Sequence, residues 1–366
     1  MKKTLIIVVI LLAGALAGLA GCSSFGGNVE GDRLLRVQAS PHYVDGAFVN
    51  DVPQRPSDTA VYIDYLTETF FGVQERQPLL PIPVQSFPEA SLRARTPPGL
   101  QAIWLGHASV YVEIDGVRLL VDPVFSDYAS PFDGVGPKRF HETPITLSSL
   151  PKIAGVLISH DHYDHLDMRT IQYLAGEGTR FFVPLGVGAH LDAWDVPANQ
   201  IVELEWGQSA EMNGLRIIST PSRHYSGREV FDYKKTFWSS WSVIGPEHRM
   251  YYSGDTGFSD HFAKTGAQYG PFDLSIIKVG AYGPGASWID IHMTPEDAVK
   301  AHLALRASRM LPVHWATFNL AFHDWDEPIK RTVIAAEAAD VDLLTPHIGE
   351  LTSAAAPNQT RHWWKK

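Results

Sequence analysis

The sequence predicts an α/β fold arranged as an αβ/βα sandwich, and three features point to it. Strand, helix and strand follow one another at about 153–158, 167–176 and 180–183. Strand-like runs fill about 201–253, and a capped helix at 295–305 leads into further mixed strands and helices. A dense cluster of imidazoles and carboxylates falls where the strand at 153–158 ends and a helix begins, the place where α/β sheets hold their sites. The 366 residues are 45% hydrophobic and 19% charged, ample for a sizeable core. The net charge of −10 leaves no basic footprint, so nucleic acid is excluded as a partner.

Taken in order, the chain opens with Met1-Lys2-Lys3 and an apolar or small-residue run from Thr4 to Ala20. Residues 1–21 read as a lipoprotein signal peptide. Leu19-Ala20-Gly21-Cys22 has the form of a lipobox, with Cys22 the lipidation site. That places the protein, lipid-anchored, in a bacterial cell envelope. Ser23 after the cysteine favours the periplasmic face of the outer membrane over the inner membrane. An uncleaved transmembrane anchor is the competing reading. Cys22 is the only cysteine, so no disulfide forms within the chain. Residues 22–30 are Gly/Ser-rich and read as a flexible tether. Residues 31–99 form a Pro-rich N-terminal extension expected to wrap the main domain and to contribute to a substrate mouth. Within it, Val61 to Phe71 suits a helix or a strand.

The regular domain is assigned to 100–352. Ala102 to Leu105, Val110 to Ile114 and Val117 to Val121 read as consecutive strands, with Asp115-Gly116 turning the last pair. The apolar, β-branched run Ile153 to Ile158 reads as a buried strand, and Met168, Ile171, Leu174 and Ala175 recur at helical spacing after it. At 295–305, Thr294 supplies an N-cap, Pro295 the first helical position and Asp297 an acidic first turn. Residues 353–366 are a C-terminal tail. Its His362-Trp363-Trp364-Lys365-Lys366 end reads as frayed, with contact to a membrane interface as the alternative.

The chemistry concentrates in Ser159-His160-Asp161-His162-Tyr163-Asp164-His165-Leu166-Asp167. A loop needing only solubility would not pack imidazoles at this spacing, whereas neutral imidazole and carboxylate are zinc ligands. His160 and His162 project the same way from an extended loop, and Asp164 and His165 lie just beyond. Two ligand pairs imply two metals. Further ligand types follow probable strands: His224 after 215–220, Asp255 after 249–252, and His314 in Leu311-Pro312-Val313-His314.

This order of H-x-H-x-D-H, His, Asp and His matches the metallo-β-lactamase superfamily. From Trp104 to Glu350 the chain resembles, more narrowly, its N-acyl-phosphatidylethanolamine-hydrolysing phospholipase D family. The resemblance is carried by Gly136-Pro137-Lys138-Arg139-Phe140, Trp238 to Val243, Gly254-Asp255-Thr256-Gly257, Gly280-Ala281-Tyr282, His292 with Pro295-Glu296, and His314-Trp315. It implies a metallo-β-lactamase fold and two zinc ions. His160, His162 and His224 would hold one ion, Asp164, His165 and His314 the other, and Asp255 would bridge them. A zinc-activated hydroxide would attack phosphorus, with Asp255 and Asp164 serving the reaction and His292 contacting phosphate or protonating the leaving group. The implied substrate is a phospholipid at a membrane surface, and a homodimer is possible. Asp161 departs from the family, which commonly carries Asn there, and the first hundred residues do not resemble its best-known members.

Around that set, Asp122 ends an apolar strand. It reads either as orienting a metal-bound histidine or as an Asp-Pro turn. His107, in a Gly-His-Ala turn, is a second supporting candidate. Tyr282 and Gly283 are candidates for the mouth. Lys138 and Arg139 read equally as a lipid-phosphate contact or a solvated pair. Phe231, Tyr233, Phe237, Trp238 and Trp241 read as strand packing before an acyl groove. His42, His141, His190, His248, His261, His302, His323 and His347 are expected to be structural or on the surface. The same ligands would serve a lactone, ester or amide hydrolase, and a noncatalytic envelope lipoprotein is the remaining alternative.

Overall fold

The computed structural model describes residues 23–56, 59–86, 99–229, 231–354 and 361–365. The signal peptide and Cys22 lie outside the described residues. In chain order the helices are α1 (Gly31–Gln38), α2 (Thr59–Phe71), α3 (Met168–Gly176), α4 (Gly188–Ala193), α5 (His261–Tyr269), α6 (Ala286–Ile289), α7 (Pro295–Ala304) and α8 (Glu327–Ala338). The strands are β1 (Tyr43–Val44), β2 (Ala47–Phe48), β3 (Leu100–Gly106), β4 (Ser109–Ile114), β5 (Val117–Val121), β6 (Gly155–Leu157), β7 (Arg180–Pro184) and β8 (Ile201–Leu204). They continue with β9 (Ser209–Met212), β10 (Leu215–Thr220), β11 (Ser240–Ile244), β12 (Arg249–Tyr252), β13 (Phe272–Lys278), β14 (Ala307–Val313), β15 (Asp342–Leu343) and β16 (Leu351–Ser353).

Two seven-stranded sheets stack face to face. One runs β16-β3-β4-β5-β6-β7-β8 and the other β15-β14-β13-β12-β11-β10-β9. In each, antiparallel hairpins at one side give way to parallel strands: β5 to β8 in the first, β12 to β15 in the second. Parallel strands need apolar side chains on both faces, and β5, β6, β13 and β14 supply them. Trp104, Val110 and Val112 of one sheet meet Trp241, Tyr252 and Ile276 of the other in the shared core. Ile171, Leu174 and Leu191 of α3 and α4 cover the outside of the first sheet. Phe262, Ala298 and Ile329 of α5, α7 and α8 belong to the core of the second. The expected αβ/βα sandwich is therefore present. The expected cap is too: the Thr294 side chain accepts from Asp297 N, with Pro295 in the first turn.

The extension wraps the sandwich. Buried Val37 and Phe48 pack with Phe237 and Trp238. Arg33 donates to buried Glu203 at 2.9 Å, and Arg55 holds Asp290 through two nitrogens at 2.9 and 2.7 Å. The stretch at Val61 to Phe71 is helical, as α2.

Two segments expected to be loose are packed. The tether reading fails over its described residues: Trp194 Nε1 donates to Ser23 O at 2.6 Å, and buried Arg228 donates to Ser24 O at 2.7 Å and Phe25 O at 3.0 Å. Glycine and serine there permit close backbone approach rather than slack. The frayed C-terminal reading also fails. Trp364 is 2% exposed, and Trp363 stacks on Trp315 at 5.2 Å, because large aromatic rings gain most by leaving water.

Candidate metal centre

The site forms at one edge of the sandwich, beyond the carboxyl ends of the strands. Asp122 follows β5, His160 follows β6, His224 follows β10, Asp255 follows β12 and His314 follows β14. The strands at this edge all run toward it, so residues far apart in sequence converge. Several hold unusual backbone: His107 (φ 51°), Asp122 (φ 36°), Ala281 (φ 61°) and His314 (φ 69°) are all left-handed without being glycine. Such strain persists where surrounding structure over-determines it. Gly280 is required by approach: a Cβ there would lie 2.0 Å from His314 O.

All seven predicted ligands meet. His160 Nε2 lies 2.9 Å from His162 Nδ1, and His224 Nε2 lies 3.4 Å from the same atom. Asp164 Oδ2 is 3.4 Å from His165 Nε2 and 3.5 Å from His314 Nε2. Asp255 Oδ2 stands between the two groups, 3.0 Å from His314 Nε2, 3.3 Å from His165 Nε2 and 3.9 Å from His224 Nε2. Ligand atoms of His160, His162 and His224 lie within 4.8 Å of one another, as do those of His107, Asp164, His165 and His314. Several inward-facing atoms are buried with no hydrogen-bond partner, namely His165 Nε2, both nitrogens of His314, and Asp255 Oδ1. Buried polar atoms are normally paired. Convergent imidazole nitrogens and carboxylates left unpaired are what a cation site requires, so these residues fit bound metal.

The supporting contacts fix tautomers. Asp122, fully buried, accepts from His165 Nδ1 at 2.6 Å, from Ser159 N at 2.7 Å, and from Ser159 Oγ and Tyr252 OH at 2.5 Å each. His165 therefore carries its proton on Nδ1 and turns Nε2 inward. With its own proton spent on Asp122, Ser159 Oγ accepts from His160 Nδ1 at 2.9 Å, which frees His160 Nε2. His224 Nδ1 donates to Ile291 O at 3.1 Å, with the same result. His107 Nε2 donates to Asp164 Oδ2 at 2.8 Å. Asp122 thus touches His165 and Ser159, and His107 touches Asp164.

Electrostatics agree with this arrangement. Burial, reinforced by neighbouring imidazoles, holds His160 well below the ordinary histidine range, and burial does the same to His224. Burial lowers His107 to about 3. Burial opposes the charged form of Asp255, but His314, His165 and His292 together outweigh it and keep the carboxyl well below its usual range. His165 is the exception. Burial lowers it, yet Asp255, Asp164 and Asp122 raise it well above 6.5, the signature of an imidazole ringed by carboxylates.

His292 lines the same pocket, with Nδ1 3.6 Å from Asp255 Oδ2 and 2.9 Å from Lys278 Nζ. Buried Lys278, at the end of β13, was not anticipated; burial brings it to about 7 against the pull of Asp255 and Asp164. A lysine inside the apolar run Leu274 to Val279 was the available signal. Also unanticipated were Asn50, which accepts from His224 N and donates to His224 O at 3.0 and 2.9 Å, and Tyr225, packed on His162 and His224. Arg228 was missed as well; it donates to Asp161 O at 2.5 Å and Leu166 O at 3.0 Å, bracing the metal loop.

Other expectations sort cleanly. Asp161 is buried on Thr236 Oγ1 (2.6 Å), Gly227 N (2.8 Å) and His190 Nε2 (3.2 Å), facing away from the ligands. Arg139 is no lipid-phosphate contact: it is buried, donates to Val124 O at 2.6 Å and lies over the Phe318 ring. Lys138 is exposed. Phe237, Trp238 and Trp241 are core, whereas Phe231 and Tyr233 are exposed. Tyr282 is buried, its hydroxyl donating to Glu327 at 2.7 Å.

Four of the seven ligands (His162, Asp164, Asp255 and His314) floor a cavity of about 350 Å³ walled by Val61, Tyr225, Trp288, Ile291 and Leu320, with Gln54 at its edge. A larger cavity of about 670 Å³ lies across the metal loop, between Ser23, Tyr163 and Arg228, and holds none of the seven ligands. The chemistry belongs to the smaller one.

Comparison with known proteins is consistent with this geometry. Residues 117–315 match the β-lactamase superfamily domain. The chain is 43% identical over 334 residues to an uncharacterized protein of Mycobacterium tuberculosis, covering 90% of this chain and 88% of that one. It is 37% identical over 272 residues to N-acyl-phosphatidylethanolamine-hydrolyzing phospholipase D 1 of Caenorhabditis elegans, covering 70% of this chain and 76% of that one. Among solved structures, the metallo hydrolase Igni18 of Ignicoccus hospitalis shares the fold, with a TM-score of 0.54 at 22% identity over 69% of this chain and 97% of that one.

Proposed function

Since the chain belongs to the metallo-β-lactamase superfamily and is a metal-dependent hydrolase, we propose that it cleaves a phospholipid phosphodiester in the manner of a phospholipase D, releasing phosphatidic acid and an N-acylethanolamine from N-acyl-phosphatidylethanolamine or a close relative. The observation that carries the reading is the convergence of seven ligand side chains, several of their inward atoms unpaired, beneath a cavity with a charged floor and apolar walls. That profile suits an amphiphile with a phosphate. The 37% identical relative named for this activity supports the substrate class.

His160, His162 and His224 would hold one zinc ion, and Asp164, His165 and His314 a second, with Asp255 shared between them. When bound, such a pair supplies a hydroxide nucleophile at neutral pH and charge neutralisation for a phosphoryl group. The chain's own contribution is orientation and proton placement. Asp122 and Ser159 aim His165 and His160, His107 aims Asp164, and Asn50 clamps the backbone of His224. His292 accepts from Lys278 at Nδ1, so its remaining proton sits on Nε2, available to a phosphate oxygen or to the departing alkoxide. Val61, Trp288 and Leu320 keep water off the acyl side. The lipid anchor at Cys22 and an envelope location belong to the same proposal, since they would hold the site at its substrate; no helix among the described residues is long and apolar enough to cross a membrane.

The test is to load the full chain with zinc and follow N-acyl-phosphatidylethanolamine in mixed micelles by mass spectrometry, with Asp255→Asn as control. Phosphatidic acid produced by the wild type and lost in the variant is the expected result. Stoichiometric metal without phosphodiester cleavage would sink the substrate assignment and direct attention to lactones and esters.

A further inference from the structure

Lys278 ends β13, the strand held between β12 and β14, and follows Leu274, Ile276 and Ile277 into the core. Its backbone is fixed: N donates to Ser253 Oγ at 3.0 Å, and the residue pairs in register with Val313. The residue is 1% exposed. Lysine is almost never buried unless paired, because leaving water opposes its charge. Among the described residues Nζ forms no ion pair with a carboxylate, and its hydrogen bond goes to an imidazole, His292 Nδ1, at 2.9 Å. An apolar side chain of similar volume would fill the space without that cost.

The contact fixes the ring. An ammonium only donates, so Nδ1 offers its lone pair and the single proton of His292 sits on Nε2. Asp255 Oδ2, at 3.6 Å, is too far to claim a proton from Nδ1. Nε2 has no partner among the described residues, and His292 lines the metal pocket. A neutral imidazole that gave its only proton to an alkoxide would become an anion, which a buried ring resists. The Nε2 proton can leave only as another arrives at Nδ1.

We propose that Lys278 supplies that proton, so that Lys278 and His292 form a relay from a buried ammonium to the departing alkoxide. As the phosphorus–oxygen bond breaks, its electron pair goes to the leaving oxygen, which takes the proton of His292 Nε2. Nδ1 takes a proton from Lys278 Nζ in the same event. The ring is neutral before and after, and Lys278 ends as a free amine accepting from Nδ1. A water proton entering at Nε2 reverses the path and restores the ammonium. Burial brings Lys278 to about 7 against the pull of Asp255 and Asp164, the range that suits an acid working near neutral pH. Lys278 stands behind the ring, outside the cavity lining, and acts through it. The proposal rests on the phosphodiester reading for its leaving group, whereas the relay would serve any hydrolysis that expels an alkoxide.

The test varies the leaving group. The metal-loaded full chain is given two lipids with the same phosphatidyl part in mixed micelles. N-acyl-phosphatidylethanolamine expels an alkoxide, and phosphatidyl-p-nitrophenol expels a phenolate that is stable without a proton. Lys278→Met removes both the proton and the hydrogen bond, whereas Lys278→Gln keeps a donor at Nδ1 but has no proton to give. Both variants should lose roughly 10²–10⁴-fold in kcat on the first lipid and less than about tenfold on the second. Equal losses on the two lipids would make Lys278 a counter-charge for the centre and overturn the proposal. So would full turnover of the first lipid by Lys278→Gln, since the lysine would then only fix the tautomer. Nitrogen NMR of the isotope-labelled full chain gives a readout free of turnover. At about pH 6, where the lysine carries its proton, His292 of the wild type should be protonated on Nε2, and Lys278→Met should shift part of that proton to Nδ1. A wild-type proton on Nδ1 refutes the relay. If the wild type cleaves neither lipid, the phospholipase reading falls, and the same variants acting on the ethyl and p-nitrophenyl esters of one carboxylic acid decide the relay.

Discussion

Asp122→Asn separates orientation of a ligand from mere filling of a turn. Three donors meet Asp122 Oδ2 (Ser159 Oγ, Tyr252 OH and His165 Nδ1) and one, Ser159 N, meets Oδ1. The asparagine amide settles with its oxygen in the Oδ2 place, because the reverse would set three donors against its NH₂ group. The shape survives and the charge is lost. A charge-assisted hydrogen bond is roughly twice as strong as a neutral one, so the His165 contact weakens by about 1–1.5 kcal/mol. At about 1.4 kcal/mol per tenfold, metal held by Asp164, His165 and His314 should bind about tenfold more weakly. That lies at the low end of the 10–100-fold typical of groups supporting a metal ligand. The assay is chelator competition on the metal-loaded full chain, in which two ions bound as proposed would leave in two resolved steps. One step should shift and the other move less, since His165 is hydrogen-bonded to Asp122 directly whereas Ser159 Oγ stands between Asp122 and His160. Tyr252→Phe, which removes a donor from the same oxygen without touching His165, should shift neither step by as much. If both steps in Asp122→Asn match the wild type, Asp122 is a strand-end turn and the orientation argument is wrong.

His292→Gln should retain metal by elemental analysis yet lose roughly 10²–10⁴-fold in kcat, the usual contribution of a placed proton donor; unchanged kcat would remove His292 from the reaction. Trp364→Ala should lower stability to denaturant by about 3–5 kcal/mol, whereas a frayed end would cost nothing measurable. His302, buried on Ser275 Oγ at 2.8 Å, is held by burial to about 4. The unfolded chain takes up that proton near 6.5, so stability contributed by the neutral ring falls as pH drops from 6.5 toward 4, by about 3 kcal/mol in all. His302→Gln should flatten that part of the stability–pH curve, and a slope identical to wild type would contradict the burial argument.

The fold and the ligand set were legible for the same reason. Apolar strands ending in His or Asp announce both the sheet and its functional edge, and His160 to Asp167 packs four ligands into one loop. What was not legible depends on contacts between segments without internal pattern. Arg228 sits in an irregular loop, and nothing local says that its guanidinium reaches four carbonyls. Asn50 lies in a Pro-rich stretch whose wrapping path is set by Phe48 and Val37 finding Phe237 and Trp238. Lys278 was readable as a charge inside an apolar strand, but its partners come from other strands. Trp363 and Trp364 resembled a loose end because their stacking partners, Trp104, Trp315 and Trp325, are distant in sequence.

The grip of Arg228 has a mechanical side. One guanidinium carries Ser24 O and Phe25 O on one flank and Asp161 O and Leu166 O on the other. The segment that leads toward the N terminus and the loop bearing four ligands are thus coupled in series through a single rigid fork. Any pull on Ser24 and Phe25 is borne first by that fork and next by the loop. The centre would register tension on a segment far from it in sequence.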